Sequence, residues 1–304
     1  MLYRNILINL QDLEDARPVL AKAAALCKSE PDQSHLQVIR VVYDGLADLK
    51  SKHIDASIEL KKFVLEAEEP LLEDAIRLAG LTSLNIESST VWHKHIWEGV
   101  LHAAQADRTD LILKPRSDTR PSFYPHPPED WNLIRHARVP VLLTRTKAWP
   151  INPTVLAAVD VYDEAHNALN RAVLSHANRL ATGITGNLHV VSVFPVLSAW
   201  INEVATAKNY ERLRDDMTQE SRAAINTLCQ DLDIDGVSIH TTEGETDTVL
   251  EKLVKSTKTC VLVIGTKART GLSGLLIGNT AEKILSRVDT DVMTIPLLDD
   301  TSVR

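Results

Sequence analysis

One spacing recurs along this chain of 304 residues. Asn9 lies in the first apolar run, 5-NILINL-10, and Asp160 in the run 155-VLAAVDV-161. Lys114 follows DLIL, and Gly265 follows VLVI. Pro140 opens PVLLT, and Asp291 opens DVMTI. The separations 160 − 9, 265 − 114 and 291 − 140 all equal 151. A constant offset between chemically similar segments marks a tandem duplication. The join falls near 146-TKAWPINP-153, where two prolines stop regular structure. This divides the chain into domains 1–148 and 149–304.

Within each half, strand-length apolar runs alternate with longer stretches of helical periodicity. The first half offers 5–10, 36–43, 110–114 and 139–144; the second offers 155–161, 188–194, 236–241, 260–265 and 291–297. Segments such as 54–79 and 211–232 carry the helical spacing between them. Continuous apolar strands alternating with helices predict α/β architecture. We expect two tandem Rossmann-like domains, each with a parallel sheet of about five strands and helices on both faces. In such sheets the ligand crevice lies beyond the carboxyl ends of the strands, where the strand order reverses. Asp160 and Gly265 both sit at such ends.

Composition narrows the partners. A formal net charge of -8 argues against general nucleic-acid binding, and 4% aromatic residues argue against stacking platforms for single strands. No apolar run approaches the ~20 residues needed to span a bilayer. The start, MLYRNILINL, lacks the pattern of a secretory leader. Cys27, Cys229 and Cys260 are widely spaced and odd in number, as reduced core thiols of a cytoplasmic protein would be.

The segment 265-GTKARTGLSGLLIGNTAEK-283 follows a strand and leads into a helix. Gly265 fits a turn directly after the strand, which glycine makes at little cost. Asn279 suits an N-cap, with Glu282 completing a capping box. A helix start beside a loop of exposed amides is a seat for phosphate, and Lys267 and Arg269 add positive charge. Glycine spacing alone fits a plain strand–loop–helix connection equally well.

The same residues resemble the nucleotide loop of the universal stress protein family. That loop reads Gly, two residues, Gly, nine residues, Gly, then a small hydroxyl residue. It maps onto Gly265, Ala268, Gly278 and Asn279, and 269-RTGLSGLLIGNTAEKIL-285 is close to the family's usual wording. The segments 129-EDWNLIRHARVPVLL-143, Trp149-Pro150 and HNALN at 166–170 are similar to the E-type tandem members. The resemblance covers both halves and implies an adenine nucleotide alpha hydrolase-like fold. It implies ATP or a related nucleotide in the second domain, with Mg²⁺ as an optional companion, held by Asp160, Val161, Val193, Gly265, Thr266, Lys267, Ala268, Arg269, Gly278, Asn279 and Thr280. It also implies a stress-response sensor or scaffold, with at most slow incidental hydrolysis. Two departures stand out: Ala268 adds a methyl group where the family has glycine, and Asn279 replaces the hydroxyl.

The first half differs at the same place. Between Lys114 and Trp131 there is no glycine, and there are five prolines (Pro115, Pro121, Pro125, Pro127, Pro128). Proline removes the N–H groups a phosphate cradle uses, and Asn9 replaces the carboxylate. This domain is expected to be degenerate, pairing with its neighbour as a pseudo-dimer through 139–144 and 291–297; further homo-oligomers remain open. His93 and His95 in 91-VWHKHIW-97 would share one side of a strand, as zinc ligands do, with His126 near by. The plainer reading, solvent-facing or hydrogen-bonded histidines, is preferred. No P-loop, zincin or hydrolase signature appears. The apolar segment 195–210 supports an alternative: a binding protein for an acylated or nucleotide-sugar-like ligand, with or without a metal.

Overall fold

The computed structural model describes residues 3–28, 33–48, 54–80, 84–106, 108–117, 129–195, 207–266 and 279–297. The chain divides into two compact units, Met1–Trp149 and Pro150–Arg304.

The first unit contains β1 (Asn5–Asn9), α1 (Ala16–Cys27), β2 (His35–Val42), α2 (Ile54–Ala79) and β3 (Ile86–Trp92). It continues with α3 (Ile96–Ala106), β4 (Leu111–Pro115), α4 (Glu129–His136) and β5 (Val141–Thr144). The second unit repeats the plan with β6 (Thr154–Ala158), α5 (Asn167–Gly183), β7 (Asn187–Phe194), α6 (Ala207–Asp231) and β8 (Ser238–Glu243). It closes with α7 (Thr246–Ser256), β9 (Thr259–Thr266), α8 (Asn279–Arg287) and β10 (Asp291–Pro296). Strand order is β3-β2-β1-β4-β5 in the first unit and β8-β7-β6-β9-β10 in the second. The recorded pairings within each are parallel. Right-handed crossovers then place α1 and α2 on one face and α3 and α4 on the other.

The central strands are apolar along their whole length because helices cover both their faces. Leu7, Ile8, Leu111, Leu113, Val155, Leu156, Leu262 and Val263 are buried in these two cores. Edge strand β3, IESSTVW, is only partly buried along its length. Its lack of an apolar run hid it from the sequence reading, which found four strands in this half.

The duplication extends into the turns. A short 3₁₀ turn, Leu13–Asp15, precedes α1, and Glu164–His166 precedes α5. These are again 151 apart, by 164 − 13. Each is capped by the aspartate before it. Asp12 Oδ1 accepts from Glu14 N at 3.0 Å, and Asp163 Oδ1 accepts from Ala165 N at 2.9 Å.

Helix α2 spans the interval expected from periodicity and carries Pro70 in its interior. Ile58, Phe63, Leu71 and Leu78 on it are exposed. The three cysteines are free; Cys27 and Cys229 are buried, and burial pushes both thiols up. No helix among the described residues is long and apolar enough to cross a membrane.

Candidate nucleotide site

In the second unit the strand order reverses between β6 and β9. Ala157 is level with Val263 across this pair, so Asp160 and Thr266 lie at the same carboxyl end. Helix α8 starts from that end. The reversal point therefore gathers Asp160, the end of β9 and the first residues of α8, as a crevice of this fold requires.

Asp160 is held on all sides. Its N–H donates to Asn170 Oδ1 at 3.0 Å, and its C=O accepts from Asn170 Nδ2 at 2.6 Å. Asn170 is buried on α5, so the helix fixes the backbone beneath the carboxylate. Oδ1 accepts from Tyr162 N at 3.2 Å, closing an Asx-type turn. Oδ2 lies 2.9 Å from His166 Nδ1, and Asp163 Oδ2 is 3.8 Å from the same nitrogen. The Asp160 side chain remains 51% exposed, so it is oriented but open to a ligand. Tyr162 turns away; its hydroxyl donates to Met217 O at 2.9 Å and its ring meets Phe194 edge-on. Burial raises the Tyr162 phenol, with Glu220 and Asp160 pushing the same way.

Val193 completes the crevice. Val159 N donates to Val191 O at 2.9 Å, and Gly244 N donates to Phe194 O at 3.0 Å. Alternation along β7 therefore turns the Val193 N–H and C=O towards β6, at a level where β6 has already ended. An adjacent donor and acceptor thus face the crevice beside Asp160.

One expectation for β9 needs correction. Gly265 is not a turn after the strand, because β9 runs through Thr266 and Gly265 is paired level with Ile295 of β10. Its need for smallness comes from α5: a Cβ there would lie 2.6 Å from Leu169 Cδ2 and Cγ. Thr266 is buried, and its hydroxyl donates to Ile295 O at 3.3 Å. Asn279 and Thr280 are the first two residues of α8, so Asn279 opens the helix rather than preceding it. Val161 lies partly buried just past Asp160. Lys267, Ala268, Arg269 and Gly278 fall outside the described residues, as do the Gly271–Gly274 stretch, His126 and most of the apolar 195–210 segment.

The matching place in the first unit is filled by the protein itself. Asn9 is fully buried, with the Gln11 amide 2.7 Å away. Turned to meet complementary groups, the Gln11 amide donates to Val41 O and accepts from Val41 N, both at 3.0 Å. Turning Asn9 with it gives the otherwise unmatched Asn9 Nδ2 the Gln11 oxygen as acceptor. Leu10 N donates to Ile39 O at 2.9 Å, so Val41 is the counterpart of Val193. At the other side of the crevice, Lys114 Nζ and Asp130 Oδ1 form a buried ion pair at 2.7 Å. Ser117 N donates to Asp130 Oδ2 at 2.8 Å, and Ser117 Oγ to Oδ1 at 3.1 Å. An internal carboxylate in the first turn of α4 thus takes the place an anionic ligand would have.

The profile of the Universal stress protein family matches residues 152–296. Over 97% of its length the chain is 25% identical to universal stress protein E of Salmonella typhi, covering 94% of that protein. The second unit thus carries a universal stress protein domain, and the chain as a whole is similar to universal stress protein E. It is also 24% identical to the universal stress protein E homolog of Haemophilus influenzae, over 97% of this chain and 98% of that one. Among solved structures, a functionally unknown protein from Pseudomonas aeruginosa PAO1 is similar with a TM-score of 0.65 and 27% identity, covering 97% and 92% of the two chains. A universal stress protein from Archaeoglobus fulgidus shares the fold at a TM-score of 0.62 and 16% identity, covering 96% and 98%. The family profile falls on the unit whose crevice is open.

The histidine pair also changes. Strand β3 ends at Trp92, so His93 and His95 do not alternate along a strand. Instead His93 Nδ1 accepts from His95 N at 3.2 Å, and its Nε2 is 3.4 Å from Glu98. The His93 ring meets His102 edge-on. Among the described residues no group of three or more metal-ligating side chains is gathered. Sequence reasoning missed His166, Asn170, Gln11 and the Lys114–Asp130 pair. The HNALN stretch was a signal for the first two, since it places His166 and Asn170 four apart on one helical face.

Proposed function

We propose that the second unit binds ATP or a related nucleotide and that the protein works as a stress-response sensor or scaffold. The observation that carries this reading is the Val193 main-chain edge. It presents a donor and an acceptor beyond the end of β6, next to the oriented Asp160 carboxylate. A nucleobase edge with adjacent donor and acceptor atoms complements that pair, as the Gln11 amide complements Val41 in the first unit. Asp160 then lies near the sugar or a bound Mg²⁺, and α8 offers its positive end to the phosphates. The universal stress protein domain of the second unit and the name shared by the full-length relatives support the stress-response role. Binding acts here through conformation rather than turnover.

Saturating Mg-ATP is expected to raise the melting temperature, since ligand at 100 times Kd stabilises by about 2.7 kcal/mol. Val193→Pro removes the crevice-facing N–H and lowers affinity at least tenfold, as does Asp160→Ala. An unchanged melting temperature with Mg-ATP, adenosine or cyclic AMP would overturn the proposal. Native mass spectrometry of protein purified from cells separates it from a carrier role, because a carrier retains a non-nucleotide mass.

A further inference from the structure

We infer that the free edge of β8 is a docking slot for an extended acidic peptide segment of a partner protein. β8 ends its sheet, paired only through β7 among the described strands. Gly244 N donates to Phe194 O, so alternation turns His240 and Thr242 towards β7. The N–H and C=O groups of Ile239, Thr241 and Glu243 then face outwards. The Arg222 guanidinium reaches Ile239 O from outside at 3.4 Å, which fits this polarity.

That edge is not bare. It lies in a groove of about 560 Å³ lined by Ile239, His240, Thr241, Thr242 and Glu243 of β8. Arg222 of α6 closes one side, and Val249, Lys252, Leu253 and Ser256 of α7 close the other. An unpaired edge between two helices matches the way a peptide adds a strand to a sheet: main-chain bonds give affinity and flanking side chains give selectivity. Volume and edge length suit about five residues, three of them in register with Ile239, Thr241 and Glu243.

Charge selects the occupant. Arg222 and Lys252 flank the edge from opposite faces, in a chain of net charge -8. The one carboxylate in the groove, Glu243, is engaged by the Tyr210 hydroxyl. His240 lies against His189, Nε2 to Nδ1 at 3.0 Å, and burial keeps both imidazoles below their usual range, with Arg222 adding to the effect on His240. The groove therefore offers two fixed cations to acidic residues. Val249 and Leu253 offer an apolar surface to an alternate side chain.

The test uses the full chain and a fluorescein-labelled peptide of three alternating Glu-Val pairs, read by anisotropy at low salt. Saturable binding is expected, with no binding of the Lys-Val counterpart. Thr241→Pro removes an outward N–H without breaking a bond to β7, and it should weaken binding at least tenfold. Charge reversal by Arg222→Glu with Lys252→Glu should abolish Glu-Val binding and admit the Lys-Val peptide. A Glu-Val peptide N-methylated at alternate residues should bind at least tenfold more weakly. Equal binding of the N-methylated peptide, or of the charge-reversed protein, would overturn the proposal whether or not the proline variant folds. So would the absence of any Glu-Val binding.

Discussion

The two crevice mouths are built from the same parts and finished differently. Each lies at the carboxyl end of a first strand, with a 3₁₀ turn, an aspartate cap and a valine main-chain edge. In the first unit Gln11 covers the edge and Asp130 answers Lys114. In the second, Tyr162 swings out to α6, and Ala281 stands where Asp130 would. Closing a site thus took only a few side chains that supply from within what a ligand would bring from outside. A sequence can keep a fold intact while exchanging an open seat for an internal pair.

The sharpest way to break the comparison is at the internal pair. Asp130→Ala leaves the Lys114 ammonium buried without its carboxylate, at a cost of about 3–5 kcal/mol. The double change Lys114→Met with Asp130→Leu should recover most of it in urea unfolding. If Asp130→Ala is neutral, the pair does not seal the first mouth.

Next in size is a pH effect confined to the second unit. His176 on α5, where the first unit has Ala25, is pushed down to about 4 by burial, with Arg179 adding to the shift. The native state stays neutral there while the unfolded chain protonates below its ordinary value of about 6.5. The unfolded state therefore binds more protons between these values, and stability falls as pH drops from 6.5 towards 4. The loss is on the order of 2 kcal/mol after allowing for partial solvent access. His176→Ala should flatten that part of the stability curve; an unchanged slope would mean the burial is not felt.

A similar but smaller cost attends Gly265→Ala. The new methyl meets Leu169 at 2.6 Å, and overpacking of this kind costs ~1–2 kcal/mol. Pairing it with Leu169→Ala should give less than the sum of the single losses. Additive losses would show that the two do not share this space.

The smallest effect sharpens the comparison most. Gln11→Ala uncovers the Val41 edge and costs about 1 kcal/mol. Nucleotide stoichiometry, measured by calorimetry, should stay at one per chain, because Asp130 still occupies the anion position. A second bound nucleotide would mean that Gln11 alone had closed the first unit.

Much of the architecture was legible because the signals were repeated. The 151-residue offset, the apolar central strands and helix 54–79 all follow from burial on two faces or one, which periodicity records. Strand β3 was not legible, because an edge strand needs no continuous apolar run. At the site, Asp160 and Val193 were indicated by resemblance; the structure shows the Asp160 carboxylate oriented by its neighbours and the Val193 main chain lying past the end of β6. Gly265 was assigned the wrong physical reason, since the side chain it accommodates comes from a helix whose approach no local pattern encodes. Gln11, Asn170 and the Lys114–Asp130 pair were hidden for the same reason. Each works through a partner distant in sequence or through backbone atoms that carry no residue identity.

The two bonds between Asn170 and Asp160 have a consequence for how the proposed nucleotide would be received. They fix the carboxylate-bearing turn before anything arrives, so association need not freeze that backbone. The entropic penalty usually charged to loop ordering is already met in folding. Affinity changes from substitutions in the crevice should accordingly register in dissociation rates, with encounter rates left nearly constant.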